Sequence, residues 1–221
     1  MDGPPLKVKV WGELACFTRP EMKVERVSYP VMTPSAARGV LEAIFWKPEF
    51  DWRIRRIEVL KPIRYFSILR NEVNNKAALA TAKGWAKNGQ GGYLTDEDRA
   101  QRHTLALRDV AYIIHADVAL RPHATEDVAK YRDQLRRRVA KGRCCHMPYL
   151  GCREFSASFC EPESDDRPQN ISDDLGIILF DMDYAPDGSG RGKPLFFRAR
   201  LDRGVLSVPL ELYEKEARNA S

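Results

Sequence analysis

"TLALRDVAYIIHADVAL", residues 104–120, is the stretch whose reading decides the fold. Val110, Tyr112, Ile114, Ala116, Val118 and Leu120 recur at every second position, so an extended chain puts them on one face. Ile113, His115 and Asp117 fall on the other, where His115 reads as a satisfied structural histidine. A strand this apolar needs neighbours. "LKVKVWGELACFT" (6–18) alternates Lys7 and Lys9 against Val8 and Val10 and reads as the first strand. "WRIRRIEVLKPIRYFSIL" (52–69) reads as another, with Arg53 and Arg55 on one side and Pro62 marking a bulge or bend.

Two helical patterns separate these strands. Thr33 before Pro34 reads as an N-cap with proline at the first helical position. Ala36, Ala37, Val40, Leu41 and Ile44 then form one apolar stripe, with Phe45 off it beside Arg38 and Glu42, and Pro48 ends the helix. In the second pattern Thr125 is the expected cap, with Glu126 and Asp127 in the first turn where the helix dipole favours acids. Val128, Leu135 and Val139 make its stripe, and Lys141-Gly142 closes it. "CCHMPYLGCREFSASF" (144–159) reads as a return to extended structure. Residues 71–101, polar and glycine-studded, read as an insertion or mobile loop.

The resulting order, strand-helix-strand-strand-helix-strand, predicts an α+β protein. Residues 1–160 form a ferredoxin-like, RRM-like βαββαβ domain. After the acidic linker "EPESDDRPQN", three segments ("LGIILFDMDY", "PLFFRARLD", "VLSVPLEL") predict a small antiparallel β subdomain over 161–221. Its "PDGSGRGK" glycines serve a turn, since no helix follows them to hold a phosphate.

Charge is segregated along the chain. Residues 121–143 carry eight Lys/Arg against three Asp/Glu, whereas 161–187 carry nine Asp/Glu against one Arg. The first segment is a nucleic-acid footprint; the second would repel a polyanion, and is expected to face away from RNA or meet a basic partner. Winding residues 126–141 at the helical period brings Lys130, Arg137 and Lys141 together opposite the apolar stripe. Arg132 and Arg136 share one flank, and Tyr131 sits on the shoulder of the other. Asp133 is the one opposing charge on this face.

Other chemistries find little support. Cys144, Cys145, His146, Cys152 and Cys160 lie close in sequence without C-x₂-C spacing, so they read as small buried hydrophobes and no metal site is assigned. No cofactor motif, phosphate loop or nucleophile elbow is present. The five cysteines, the absence of a span-length apolar run and the lack of a secretory pattern in "MDGPPLKVKVWG" point to a cytoplasmic protein with no membrane role.

Three stretches, "AARGVLEAIFWKPEFDWRIRRIEVLKPI", "LRDVAYIIHADVAL" and "RRRVAKGRCCHMPYLGCREFSASF", together resemble the CRISPR-associated Cas5 family of subtype I-C, in the repeat-associated (RAMP) superfamily. The resemblance covers most of the chain in order. It rests on "FWKPEFDW" after the first helix combined with "PYLGCREF" after the second. It implies a ferredoxin-like domain with a C-terminal β subdomain. It also implies an endoribonuclease that cuts the CRISPR precursor RNA without a metal at the base of each repeat hairpin. It implies further that such a protein then stays on the 5′ handle as a subunit of the type I-C surveillance complex.

The catalytic set that the resemblance implies is a tyrosine ending the first helix and an adjacent Lys-His pair early in the second. By position the lysine falls on Lys130; Tyr131 stands at the histidine position and Phe45 at the tyrosine position. Lys130 is assigned as electrostatic stabiliser and Tyr131 as the aligning or proton-shuttling group. Phe45 and Trp46 would stack on an unpaired base, with Lys47 beside them. Arg132, Arg136, Arg137, Arg138, Lys141 and Arg143 would meet handle or hairpin phosphates. The departures at Phe45 and Tyr131 leave open a non-catalytic guide-RNA cap, and the same basic face would suit a duplex-DNA-binding protein.

Overall fold

The apolar run at 104–120 is the inner part of a longer strand along which most of the structure is assembled. In the computed structural model, which describes residues 3–22, 24–75, 78–92, 94–184 and 192–214, the strands are β1 (Leu6–Ala15), β2 (Arg26–Val27), β3 (Phe50–Val59), β4 (Tyr65–Val73), β5 (Arg99–Leu120), β6 (Ser158–Cys160), β7 (Asp173–Tyr184), β8 (Gly192–Asp202) and β9 (Val205–Ser207). The helices are α1 (Pro34–Ile44), α2 (Leu79–Asn88) and α3 (Val128–Ala140). β1 and β3 flank the inner half of β5 on opposite edges, both antiparallel. The strand path β6-β1-β5-β3-β9-β8-β7 makes one sheet, with β2 and β4 also on β5. This is a mixed α/β fold dominated by one mostly antiparallel sheet. Among the described residues no helix is long and apolar enough to cross a membrane.

The core lies where α1 and α3 cover one sheet face. Val8, Val10, Ile54, Ile57, Tyr112 and Ile114 meet Val40, Leu41 and Ile44 of α1 and Leu135 and Val139 of α3 in one cluster. Each such side chain contributes roughly 1.5–3 kcal/mol on burial. Thr33 caps α1 as expected, its Oγ1 accepting from Ala36 N at 3.3 Å. A bulge between Ile54 and Arg56 keeps the alternation in register: Phe50, Trp52 and Ile54 point inward before it, Ile57 and Val59 after it.

The opposite sheet face is covered by the acidic linker. It crosses from β6 to β9, with Lys9 Nζ reaching Asp166 at 2.7 Å and Glu163 at 3.3 Å, and Gln169 N donating to Val59 O at 2.8 Å. His115 is buried on this face, its Nε2 2.8 Å from Glu58 Oε1. That contact is poorly aligned, and neither ring nitrogen makes a well-formed hydrogen bond, so the expected satisfied histidine is only partly so. Burial, with Arg56 nearby, lowers its pKa to about 4.

Several expectations are corrected. The single strand at 52–69 is two, because the chain turns around Pro62 and β4 moves to the outer half of β5. Segment 71–101, expected as an insertion or mobile loop, carries secondary structure: β4 and β5 stay paired out to Val73 and Arg99, and α2 lies between them. Solvent reaches both faces of that ribbon, and α2 buries no residue, so neither shows an apolar period. Asp127, not Thr125, caps α3, accepting from Ala129 N at 2.7 Å. Residues 144–157 form a compact turn closed by Leu150 N to Phe155 O and Ala157 N to Pro148 O, leaving only β6 extended. Most of the "PDGSGRGK" turn lies outside the described residues.

Candidate nucleic-acid interface

The end of α1 and the face of α3 are brought together by hydrogen bonds at the C-terminus of α1. A helix ends with carbonyls that lack intrahelical partners. Here Ala43 O accepts from Cys145 N at 2.8 Å and His146 N at 3.3 Å, and Ile44 O accepts from Arg138 Nη1 at 3.0 Å. The segment after α3 thus completes α1, and the Phe45-Trp46-Lys47 exit lies against α3. Gly142, at φ +60°, is the left-handed residue that turns the chain back for this contact.

The predicted residues then separate into two groups. Lys130 is 55% exposed at its side chain and pairs with Glu126 at 2.5 Å on its own helix. It shares a shallow depression of about 410 Å³ with Asp133, Arg136 and Arg137. Arg136 pairs with Asp133 at 2.9 Å. Arg137, Lys141 and Arg143 are exposed and form no ion pair among the described residues. Trp46 is 53% exposed on the α1 exit.

The second group faces inward, against expectation. Phe45 is 1% exposed because the helix ends at Ile44 and its backbone turns extended, which swings the ring off the Arg38 side into the core. Its ring packs 5.3 Å from Phe50, with the Arg138 guanidinium 5.4 Å above it. It has no free face for a base. Arg132 is 7% exposed and donates to Pro4 O at 2.5 Å, tying the N-terminal segment to α3 instead of meeting phosphate. Arg138 is half-buried, held by Ile44 O and by Cys145 Sγ at 3.4 Å.

Tyr131 is also buried, at 1% exposure, with its ring 5.2 Å from Phe50 and the Lys47 ammonium 5.9 Å over it. Its hydroxyl finds no hydrogen-bond partner among the described residues, and neither does buried Oε2 of Glu49. Burial and the carboxylates of Glu49 and Glu126 raise the phenol's pKa above its ordinary value. The neutral form is therefore held at physiological pH, so Tyr131 can donate a proton or a hydrogen bond but is no base. The sequence reading missed Glu49; a lone acid between Pro48 and Phe50 gives no periodic sign of burial.

What this surface offers is an array of cations on one helix face, an exposed indole on the α1 exit, and a neutral buried phenol at the residue after the lysine. Cations of this kind hold phosphates, and the indole suits an unpaired base.

A family model described as CRISPR-associated protein (Cas_Cas5) matches residues 5–209, so the chain belongs to the Cas5 family, in the Cas5d group. It is 49% identical over 225 residues to a Thermus thermophilus protein named CRISPR pre-crRNA endoribonuclease Cas5d, covering 95% of this chain and 93% of that one. Among solved structures it is similar to one titled CRISPR-associated protein, at 20% identity and TM-score 0.65 over 95% of this chain and 96% of that chain. It is also similar to a chain from a CRISPR RNA-guided surveillance complex, at 11% identity and TM-score 0.53 over 97% and 98%.

Proposed function

We propose that this chain is a pre-crRNA endoribonuclease that binds the repeat hairpin of CRISPR precursor RNA and then remains on the 5′ handle as a subunit of a type I-C surveillance complex. The observation that carries this reading is near-full-length identity of 49% to a protein named for that activity. The outward cation face of α3 supports it independently. The order β6-β1-β5-β3, with α1 and α3 on one face, also supports reading residues 1–160 as a ferredoxin-like unit to which 161–221 adds strands.

The chemistry we assign needs no metal, because the nucleophile is internal to the substrate. A ribose 2′-oxygen attacks its own phosphorus, the bond to the 5′-oxygen breaks, and the products are a 2′,3′-cyclic phosphate and a 5′-hydroxyl. Lys130 stabilises charge developing on the phosphate oxygens. Its present partner Glu126 yields at little cost, since exposed i,i+4 pairs are worth about 0.3–0.5 kcal/mol. Tyr131, buried at the residue after Lys130, acts as a positioning residue. Trp46 stacks on a base near the cut, Lys47 stands beside it, and Arg136, Arg137, Lys141 and Arg143 hold phosphates.

The burial of Phe45 and Tyr131 favours one alternative, a guide-RNA cap that binds without cutting. Mapping the product ends after incubation with the cognate repeat hairpin in EDTA separates the two. A single cut with a cyclic phosphate supports the endoribonuclease, and tight binding without a cut supports the cap.

A further inference from the structure

Away from α3, two cysteines that are far apart in sequence meet beside a cluster of arginines. Cys16 follows β1 and Cys152 lies in the 144–157 turn. Cys16 N donates to Leu150 O at 3.0 Å, and Cys152 Sγ lies 3.7 Å from Cys16 O. The approach depends on Gly151, at φ +85°, where a Cβ would fall 2.1 Å from Cys16 O. The Cys152 S–H points at Cys16 O, and Arg26 Nη1 reaches Cys152 Sγ at 3.3 Å.

The surroundings of this pair carry more cations than anions. Arg26 lies 3.4 Å from Glu72 and 3.7 Å from Glu154. Arg70 contacts the same two acids, each at 2.9 Å, and Arg102 reaches Glu72 at 3.5 Å. Three guanidiniums therefore share two carboxylates, an excess of positive charge that favours a thiolate on Cys152. The neighbouring Cys16, with Arg26 beside it, pulls the Cys152 thiol down against the opposing effect of burial, and the neighbouring Cys152 together with burial pushes Cys16 up. Cys152 also lines an open depression of about 500 Å³ together with Thr18, Arg26, Tyr149, Arg153 and Glu154.

We propose that Cys152 is an oxidation site, an arginine-held thiolate that reacts with a hydroperoxide entering the depression, with Cys16 as its resolving thiol. In the first step the Cys152 sulfur attacks the terminal peroxide oxygen; the S–O bond forms and the O–O bond breaks. Cys152 becomes a sulfenic acid, and the departing hydroxide or alkoxide takes a proton from water and leaves as water or an alcohol. In the second step the Cys16 sulfur attacks the Cys152 sulfur. The S–S bond forms, the S–O bond breaks, and the departing hydroxide takes the Cys16 proton to leave as water. The product is a disulfide tying the end of β1 to the turn after α3.

The test is treatment of the purified chain with hydrogen peroxide, alkylation of the remaining thiols and peptide mass spectrometry. The first product expected is a Cys16–Cys152 disulfide, with the five free cysteines falling to three. Cys16→Ser should stop at a sulfenic acid on Cys152 that dimedone captures. Arg26→Gln should move the rising limb of the rate–pH profile upward by about one unit or more, and Arg26→Lys, which keeps the charge, should move it less. Oxidation of Cys145 or Cys160 ahead of Cys152, or a Cys16→Ser variant that yields no dimedone adduct on Cys152, would overturn the proposal. So would an Arg26→Gln profile that superimposes on that of the unmodified chain.

Discussion

The acidic segment at 161–187 and the basic helix α3 carry strong charge of opposite sign, and folding neutralises them to different degrees. Along the acidic segment Glu163 and Asp166 hold Lys9, Asp174 pairs with Arg198 at 2.7 Å, and Asp181 makes a bidentate pair with Arg38 at 2.7 and 2.5 Å. On α3 the inward Arg132 and Arg138 are held by backbone carbonyls. Lys130 and Arg136 meet only exposed acids of their own helix, and Arg137 and Lys141 meet none among the described residues. A charged stretch marks a ligand surface only where the fold leaves its charge facing water. Four of the acids, Glu163, Asp166, Asp174 and Asp181, find their cations within the chain.

This contrast is open to attack from both sides. The largest effect expected is on the acidic side. Asp181→Ala would leave the Arg38 guanidinium without its bidentate partner and should cost about 3 kcal/mol or more in urea unfolding, with RNA affinity per folded molecule unchanged. A destabilisation below about 1 kcal/mol would mean that the pair is as dispensable as a surface one.

Acidification should weaken the linker-covered face next. His115 is buried with its pKa lowered from 6.5 to about 4, so the folded state disfavours its charged form. Its contribution is complete above pH 6.5 and is lost as the pH falls toward 4, by up to about 3 kcal/mol. Unfolding followed across that window should show the decline, and His115→Gln should flatten it.

On the basic side the effects are smaller and appear in binding. Arg137→Ala with Lys141→Ala should leave urea stability within about 0.5 kcal/mol. Affinity for the repeat hairpin should fall about tenfold, and the slope of log affinity against log salt should drop by roughly 0.7–0.9 for each phosphate no longer neutralised. An unchanged salt slope would remove α3 from the interface. Smallest of all, Asp133→Asn should strengthen hairpin binding by less than about 0.5 kcal/mol, by freeing Arg136 from an exposed pair. Titration at low salt is the measurement that resolves it.

How much of the fold and site is legible in the sequence follows from where each signal originates. Periodicity is written by burial on one face, so β1, the inner part of β5, α1 with its Thr33 cap and the Gly142 stop are all readable. The β4–β5 ribbon and α2 bury little and leave no period to read. The outward cations of α3 follow from winding the helix. The inward turn of Phe45 does not, because it depends on the chain leaving helical geometry one residue after Ile44. The helical winding puts Tyr131 on a shoulder of the stripe; Phe50, from another strand, draws it into the core. The meeting of Cys16 with Cys152 is equally hidden, since it arises from a turn closing on the end of β1.

The central claim is that a helix face left cationic by the fold serves to cut RNA as well as hold it. The most direct test compares the unmodified chain with Lys130→Ala on the cognate repeat hairpin in EDTA, reading cleavage rate and affinity in the same preparation. The account predicts a single cut leaving a 2′,3′-cyclic phosphate. It also predicts that Lys130→Ala slows the cut by about 100-fold or more while binding stays within a fewfold. Tight binding with no cut by the unmodified chain, or equal loss of binding and cutting in the variant, would contradict it.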